Sequence, residues 1–421
     1  MRVAHLLRKY DPSEWGGTES AILRLTSDLS RQGVESVVYA PKLRHPAGDS
    51  DPFLAAGCVV RRYRAYVPIL GIQAEHKRQM VSVGGNMVSL DLIASMLSDS
   101  TVDVVHSHVQ GRLGAIARVV ARCRGLPFVL SIHGGAYDLP PEVRKALRKP
   151  YEGGWDWGRP LGMVLRARNL MNQADAIIVL NPREAELIKE HHPGRRVQVE
   201  THGVPTALFS RDCRAAARMA FPELEGRSVL LVLGRIDKVK NQGWLVAEAA
   251  ELARRHPKIV LAFVGAFTDQ EYGDALLARI AREGLQNHVK MLGALPSGDP
   301  RLIGLLQEAR AVVLPSLSET FGLVILEAWA AGTPVVSSRT SGALALVADG
   351  VDGLLFDLER PATFHVAVSR LISQPEVALG WARAGRAKVV ANFDTSLRAE
   401  KMKQLYEELV EQKNALRNTK G

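Results

Sequence analysis

Two acidic residues, Glu319 and Glu327, stand in the segment Pro315-Ser316-Leu317-Ser318-Glu319-Thr320-Phe321-Gly322-Leu323-Val324-Ile325-Leu326-Glu327. An apolar run that reads as a buried strand precedes the segment, and a helical pattern ends it. A strand-to-helix loop of this kind offers the free backbone N–H groups and the positive dipole end of the helix to phosphate or sugar oxygens. Gly322 lets a ligand come close to the backbone. Taken alone, Glu319 reads equally well as a carboxylate favoured by the helix dipole. Glu327 is different, because Leu326, Ala328, Trp329 and Ala330 flank it, and an acid in such company needs a partner.

A second segment, Leu233-Gly234-Arg235-Ile236-Asp237-Lys238-Val239-Lys240-Asn241, closes another apolar strand. Arg235 offers a planar fork and Lys240 a point charge, a combination suited to a diphosphate, although solvated loop charge would look the same. Trp15-Gly16-Gly17-Thr18 is a glycine turn between the first strand and the first helix. It lacks the third glycine of a dinucleotide fingerprint and the Lys-Ser/Thr of a P-loop. In Ser131-Ile132-His133-Gly134-Gly135, His133 ends a strand where a polar side chain can meet a sugar hydroxyl. His106-Ser107-His108 looks like a metal pair, but the two side chains are expected on opposite faces of their strand, leaving one of them toward a ligand.

The elements that must position these residues alternate regularly. Strands are predicted at Val3–Leu7, Val37–Ala40, Val102–His106, Phe128–Ile132 and Ala176–Leu180, with helices over Ser20–Arg31 and Arg112–Arg124. A second cycle opens with the strand Ser228–Ile236 and continues through strands at Val260–Val264, Val289–Leu292, Ala311–Leu314 and Thr333–Val336, with helices between them. Apolar strands alternating with helices imply parallel sheets covered on both faces. The boundary is placed near residue 205, giving an N-terminal domain over residues 1–205 and a C-terminal domain over residues 206–394. The helix expected over residues 395–416 carries an apolar stripe, Met402, Leu405, Tyr406 and Leu409, that needs a surface to cover.

The chain has 421 residues, 47% hydrophobic and 23% charged, enough for two sizeable cores. A net charge of +10 suits an anionic partner, but no zinc-type Cys/His cluster or RNA-binding aromatic signature occurs, so no nucleic-acid partner is expected. The three cysteines are scattered and imply neither disulfides nor a metal site. With no signal-like segment and no apolar run near the ~18 residues of a span, a cytoplasmic protein is expected, soluble or attached at the inner face of the membrane.

Together these residues resemble the retaining glycosyltransferases of glycosyltransferase family 4. The specific features are Glu319 and Glu327 with Ser-Glu-Thr-Phe-Gly at their head, and Gly234-Arg235 with Lys240 five residues on. Gly16-Gly17, His133-Gly134, His202-Gly203-Val204 and Asp349-Gly350-Val351-Asp352-Gly353 add order and spacing. The resemblance implies the GT-B fold: two Rossmann-like domains facing each other across a cleft, with the C-terminal helix crossing back to the first. It implies a nucleoside-diphosphate sugar as co-substrate and transfer of a hexose-type sugar with retention. Arg235 and Lys240 would hold the diphosphate, Glu327 the ribose, and Glu319 a hydroxyl of the sugar. Backbone groups from Thr320 and Phe321 through Gly322, Leu323 and Val324 would complete the site. Gly16 and Gly17 would face the diphosphate, His133 the sugar, and Met291 and Leu292 the base. No metal ion is expected, since the cations and the helix N-terminus meet the leaving charge.

Two departures from the family pattern stand out. Ala345 replaces a common Glu, which puts a helix-start interaction in doubt, and Asn181-Pro182 stands where a Ser often follows the strand, on the acceptor side. Rival readings are a sugar-nucleotide epimerase or phosphorylase of the same fold, or a sugar-binding protein without catalysis. A glycosidase would need two carboxylates flanking one bond. The acceptor, whether small molecule, glycan or lipid-linked, is expected against Tyr66–Met96 and the basic stretch Arg144–Arg168. In the latter, Arg144, Lys145, Arg148, Lys149, Arg159, Arg166 and Arg168 with Trp155 and Trp157 would suit an anionic acceptor or a membrane surface as well as plain solvent.

Overall fold

A computed structural model describes residues 1–8, 16–42, 51–72, 77, 87–138 and 154–419. Trp15, Arg144, Lys145, Arg148 and Lys149 lie outside the described residues. Contacts divide the chain into one unit of Met1–Thr201 with Thr395–Gly421 and another of His202–Asp394.

Among the described residues of the first unit, the strands are β1 (Arg2–Leu6), β2 (Glu35–Pro41), β3 (Val59–Tyr63), β4 (Ile69–Leu70), β5 (Val104–Ser107), β6 (Phe128–Ser131), β7 (Trp155–Asp156), β8 (Ala176–Val179) and β9 (Val197–Val199). Seven of them form one parallel sheet in the order β3-β2-β1-β5-β6-β8-β9, while β4 and β7 make a short antiparallel pair. The chain runs outward from β1 to β3 and then returns to β5 on the other side of β1. Such a reversal leaves a crevice outside the carboxyl ends of the two central strands, where ligands of doubly wound sheets bind.

The second unit repeats the plan with β10 (Ser228–Leu233), β11 (Ile259–Val264), β12 (Val289–Met291), β13 (Ala311–Leu314), β14 (Val335–Ser338) and β15 (Leu354–Phe356). Their order, β12-β11-β10-β13-β14-β15, is parallel throughout and reverses between β10 and β13. All six residues of β11 are buried, which is why the strand reads as an unbroken apolar run.

The C-terminal helix Thr395–Asn418 packs on the first unit. Met402, Leu405, Tyr406 and Leu409 are buried against Val3, Val104, Val129 and Ile178, so the apolar stripe covers the sheet that the first strands begin. Polar ties pin its far end: Lys413 pairs with Asp175 at 2.7 Å and the Arg417 guanidinium donates to the Arg124 carbonyl at 2.6 Å. Among the described residues no helix is long and apolar enough to cross a membrane.

Candidate functional site

In the second unit the two loops at the sheet reversal carry most of the residues singled out above. Leaving β10, the chain turns at Gly234 and Arg235 and reaches Asn241, whose left-handed backbone precedes the helix Gln242–Arg255. Asp237 organises this turn. Its carboxylate lies 3.1 Å from the Arg235 guanidinium and accepts the Lys240 backbone N–H at 2.9 Å. Gly265, at the end of β11, makes room for it, because a side chain there would start 1.9 Å from the Gly234 carbonyl.

Leaving β13, the chain passes Glu319 and enters the helix Leu323–Ala331 through Gly322, whose φ of 99° favours glycine. No side chain caps this helix, so its first N–H groups face the loop. The two loops are joined directly. Lys240 Nζ lies 2.5 Å from Glu319 Oε2, the Leu317 N–H donates to the Val239 carbonyl at 2.9 Å, and Asn241 Nδ2 donates to the Pro315 carbonyl at 3.1 Å. Phe321 is buried beneath the loop, edge-on to His202 at 5.6 Å. Glu327 sits 6% exposed in the same helix and accepts from Ser297 Oγ at 3.2 Å. Ser297 belongs to the loop that follows Met291 and Leu292, both half-buried, so the expected base edge and the expected ribose acid share one wall of the unit. Thr320, Leu323 and Val324 are half-buried at the helix entrance.

Sequence reading passed over Gly342. Its N–H donates to the Glu319 carbonyl at 2.7 Å, and a side chain there would meet Glu319 O and Phe321 N at 2.6 Å. Asp237 was equally overlooked as an organiser, though an Asp three residues before Lys240 carries the signature of an Asx turn. The departure at Ala345 displaces no partner: Ala345 is exposed, and the Thr340 hydroxyl caps its short helix by accepting from the Ala343 N–H at 3.3 Å.

In the first unit Gly16 and Gly17 do not form a free turn. Gly16 is the N-cap of the helix Gly17–Arg31, and the buried Glu19 carboxylate folds back to accept the Gly16 N–H at 3.2 Å. His133 follows β6 in a loop that Glu184 holds. That buried carboxylate accepts the N–H groups of Ala136, Tyr137 and Asp138 at 2.7 to 3.1 Å. Asn181, in turn, caps the helix Pro182–His191 by accepting the Glu184 N–H at 2.8 Å. A side-chain acceptor and Pro at a helix start, with Glu two positions after the Pro, is the legible trace of this brace. Beside the loop lies a cavity of about 280 Å³ lined by Gln110, Tyr137, Arg168 and His192 among others.

The expectation that His106 and His108 diverge is wrong. Strand side chains alternate, so residues two apart share a face. Their rings lie 4.1 Å apart, with His5 stacked on His108 at 5.4 Å. His5, His106 and His108 have nitrogens within 4.8 Å of one another, and every ring nitrogen of the three except the buried Nε2 of His5 already bonds to a protein group. His5 Nδ1 meets His108 Nε2 at 3.0 Å, His108 Nδ1 meets His133 Nε2 at 2.9 Å, and His106 bonds Tyr406 OH at 2.6 Å and Ser131 Oγ at 2.7 Å. Burial lowers the pKa of His5 to about 3. Burial, then the charges of His5 and His133, holds His106 well below the usual range. His133 is lowered too, by burial and then by Arg8. All three rings are therefore neutral near pH 7.

The chain matches the family described as Glycosyl transferases group 1 over residues 214–388 and the Glycosyl transferase 4-like domain over residues 16–205. It is 32% identical to D-inositol 3-phosphate glycosyltransferase 1 of Catenulispora acidiphila over 73% of this chain and 73% of that protein. It is 30% identical to the D-inositol 3-phosphate glycosyltransferase of Frankia alni over 86% of each. In fold it is similar to Anabaena HepE in complex with UDP-glucose, with a TM-score of 0.71 at 20% identity over 97% of this chain and 100% of that one. Sucrose-phosphate synthase from Thermosynechococcus elongatus is similar with a TM-score of 0.73 at 21% identity, covering 97% and 98%.

Proposed function

The chain belongs to glycosyltransferase family 4, with the GT-B fold, and from that premise we propose that it transfers a hexose from a nucleoside-diphosphate hexose to a hydroxyl acceptor with retention of anomeric configuration. The observation that carries the reading is the contact of Lys240 with Glu319, with Arg235 on the same loop as Lys240, at the reversal of the second sheet. Two cations beside an uncapped helix N-terminus suit a diphosphate, and an acid at the same place suits a sugar hydroxyl. In this reading a phosphate oxygen displaces Glu319 from Lys240, which frees the carboxylate to accept from the sugar. Glu327 binds the ribose, Met291 and Leu292 edge the base, and Thr320 to Val324 supply backbone N–H groups. In the first unit, Gly16, Gly17 and His133 are read as ligand contacts.

The acceptor oxygen attacks the anomeric carbon on the face from which the diphosphate departs. The bond from that carbon to the phosphate oxygen breaks as the new glycosidic bond forms, and the hydroxyl proton passes to the departing oxygen. Negative charge grows on the leaving group, and Arg235, Lys240 and the helix N-terminus stabilise it electrostatically. This arrangement needs no metal ion, so chelation is expected to leave turnover unchanged. We assign the acceptor to the cavity beside Tyr137 and Arg168. A phosphorylated polyol is the first to try, because relatives are named for D-inositol 3-phosphate.

Thermal unfolding with UDP, GDP, ADP and dTDP in turn tests the donor site, since a ligand at 100 times its Kd adds about 2.7 kcal/mol. One nucleotide should raise the midpoint, and Arg235→Ala should abolish the rise. Failure of all four would sink the assignment. The matching sugar nucleotides, with and without acceptor and with phosphate, then separate transfer from epimerisation and phosphorolysis, and the anomeric coupling of the product decides retention.

A further inference from the structure

The loop that follows β12 is tied to the second unit at both ends. Where it leaves the sheet, the Leu292 N–H donates to the Phe263 carbonyl and the Gly265 N–H donates to the Gly293 carbonyl, both at 2.9 Å. At its far end the Asp299 N–H closes a turn on the Pro296 carbonyl at 3.1 Å, and the Asp299 carboxylate caps the helix Pro300–Glu308 by accepting the Arg301 N–H at 2.8 Å. Gly298, third in that turn, has a φ of 92°, the left-handed backbone that a type II turn requires there. Ser297, second in the turn, is thereby held in place, and its hydroxyl donates to Glu327 Oε1 at 3.2 Å. The partners differ in setting, since Ser297 is exposed and Glu327 keeps 6% of its surface. A surface turn thus reaches a buried acid 30 positions along the chain. The last torsion of a glutamate is broad, so a hydrogen bond from a fixed donor narrows where its oxygens point.

We propose that Ser297 is a positioning residue that aims the Glu327 carboxylate at the ribose hydroxyls of the donor, so that this turn sets the preference for ribonucleotide over 2′-deoxyribonucleotide donors. The inference rests on the reading of Glu327 as the ribose acid. The two ribose hydroxyls lie on one side of the ring, and a carboxylate accepts from both only when its oxygens face them. A buried acid that loses the hydroxyl it meets is left short of a partner, which makes such a site reject the deoxy analogue. Without the Ser297 contact the acid remains but is less fixed in direction, so the ribose contact weakens while the deoxy form, which lacks that contact, is spared. The ribose stands apart from the bond that breaks, so the effect falls on binding rather than on turnover.

Isothermal titration of the full chain with UDP, GDP and ADP and with their 2′-deoxy counterparts reads the preference as a ratio of Kd values. The wild type should bind the ribo form of its nucleotide at least about tenfold more tightly than the deoxy form. Ser297→Ala should weaken the ribo form about fivefold, the size of one ordinary hydrogen bond, and leave the deoxy form within about twofold. Ser297→Thr keeps the hydroxyl and should restore the ratio. With the matching sugar nucleotide, the donor KM of Ser297→Ala should rise about fivefold while kcat stays within about twofold. A loosened fold would weaken both nucleotide forms alike, and that result, like an unchanged or tighter ribo Kd, would overturn the proposal. Glu327→Ala separates this inference from the reading beneath it. If Glu327→Ala abolishes the ratio while Ser297→Ala keeps it, only the positioning role falls; if Glu327→Ala leaves the ratio intact, the ribose reading falls and takes this one with it.

Discussion

The two units use the same sheet plan, with polar residues after the central strands, but in opposite electrostatic states. After β10 and β13 the groups are ions in compensating pairs, Lys240 with Glu319 and Arg235 with Asp237. Within β1 and after β5 and β6 they are imidazole rings bonded to one another, with His5 and His133 neutral near pH 7. Exposure follows the same division. Lys240 and Glu319 keep 21% and 18% of their side-chain surface, whereas His5 and His106 keep 0% and 1%. An ion removed from water loses several kcal/mol of hydration, so a group that must meet a charged ligand stays near solvent with a counter-ion ready to be exchanged. A neutral imidazole carries no such cost and can be buried to fix a direction. The charged loops can thus exchange partners, and the histidine cluster keeps them.

Breaking the charged side should cost most. Lys240→Met is expected to lower kcat by about 10²- to 10³-fold, the usual loss when one group that stabilises leaving charge is removed. Stability should move by less than about 1 kcal/mol, because the pair it breaks is part-exposed. Steady-state kinetics beside urea unfolding would check both, and a large stability loss with intact kcat would erase the contrast between the units.

Acid tests the neutral side. His5 and His106 are neutral when folded and take up protons when unfolded, because their folded pKa values lie below 6.5. The contribution of His5 is complete above about pH 6.5 and is lost as pH falls toward about 3, at about 1.4 kcal/mol per pH unit, and that of His106 is lost in the same direction. Urea unfolding at pH 7 and pH 5 should show this loss, and His106→Asn should remove one residue's share of the slope. An equal slope in the variant would mean that the ring is charged in the folded protein.

The smallest effect sharpens the comparison at the loop that carries His133. Asn181→Ala removes the cap from the helix Pro182–His191 and should cost about 1 kcal/mol. Because Glu184 on that first turn holds the 136–138 backbone, turnover should fall a few-fold more than the stability loss alone explains. Unaltered kinetics would show the brace to be structural only.

The succession of strands along the chain and the residues at strand ends were readable because buried parallel strands are uniformly apolar and their loops are not. Ala311–Leu314 was located to the residue, and Glu319 and Glu327 fall in the loop and the helix that follow it. Less legible were β3, β9 and β15, short strands at or next to a sheet edge with mixed composition, and the helices Pro361–Ser373 and Pro375–Asn392.

Local pattern by itself determined the alternation of strands and helices, the family, and which polar residues stand at strand ends, because periodicity and glycine placement are properties of neighbours in the chain. The tertiary structure alone decided that Lys240 meets Glu319 across 79 positions, that Gly265 and Gly342 leave room for the loops, and that His5 joins His108 across 103. Those pairings depend on which strands lie side by side and in what register, and a one-residue slip, invisible in composition, would turn each of these side chains to the other face.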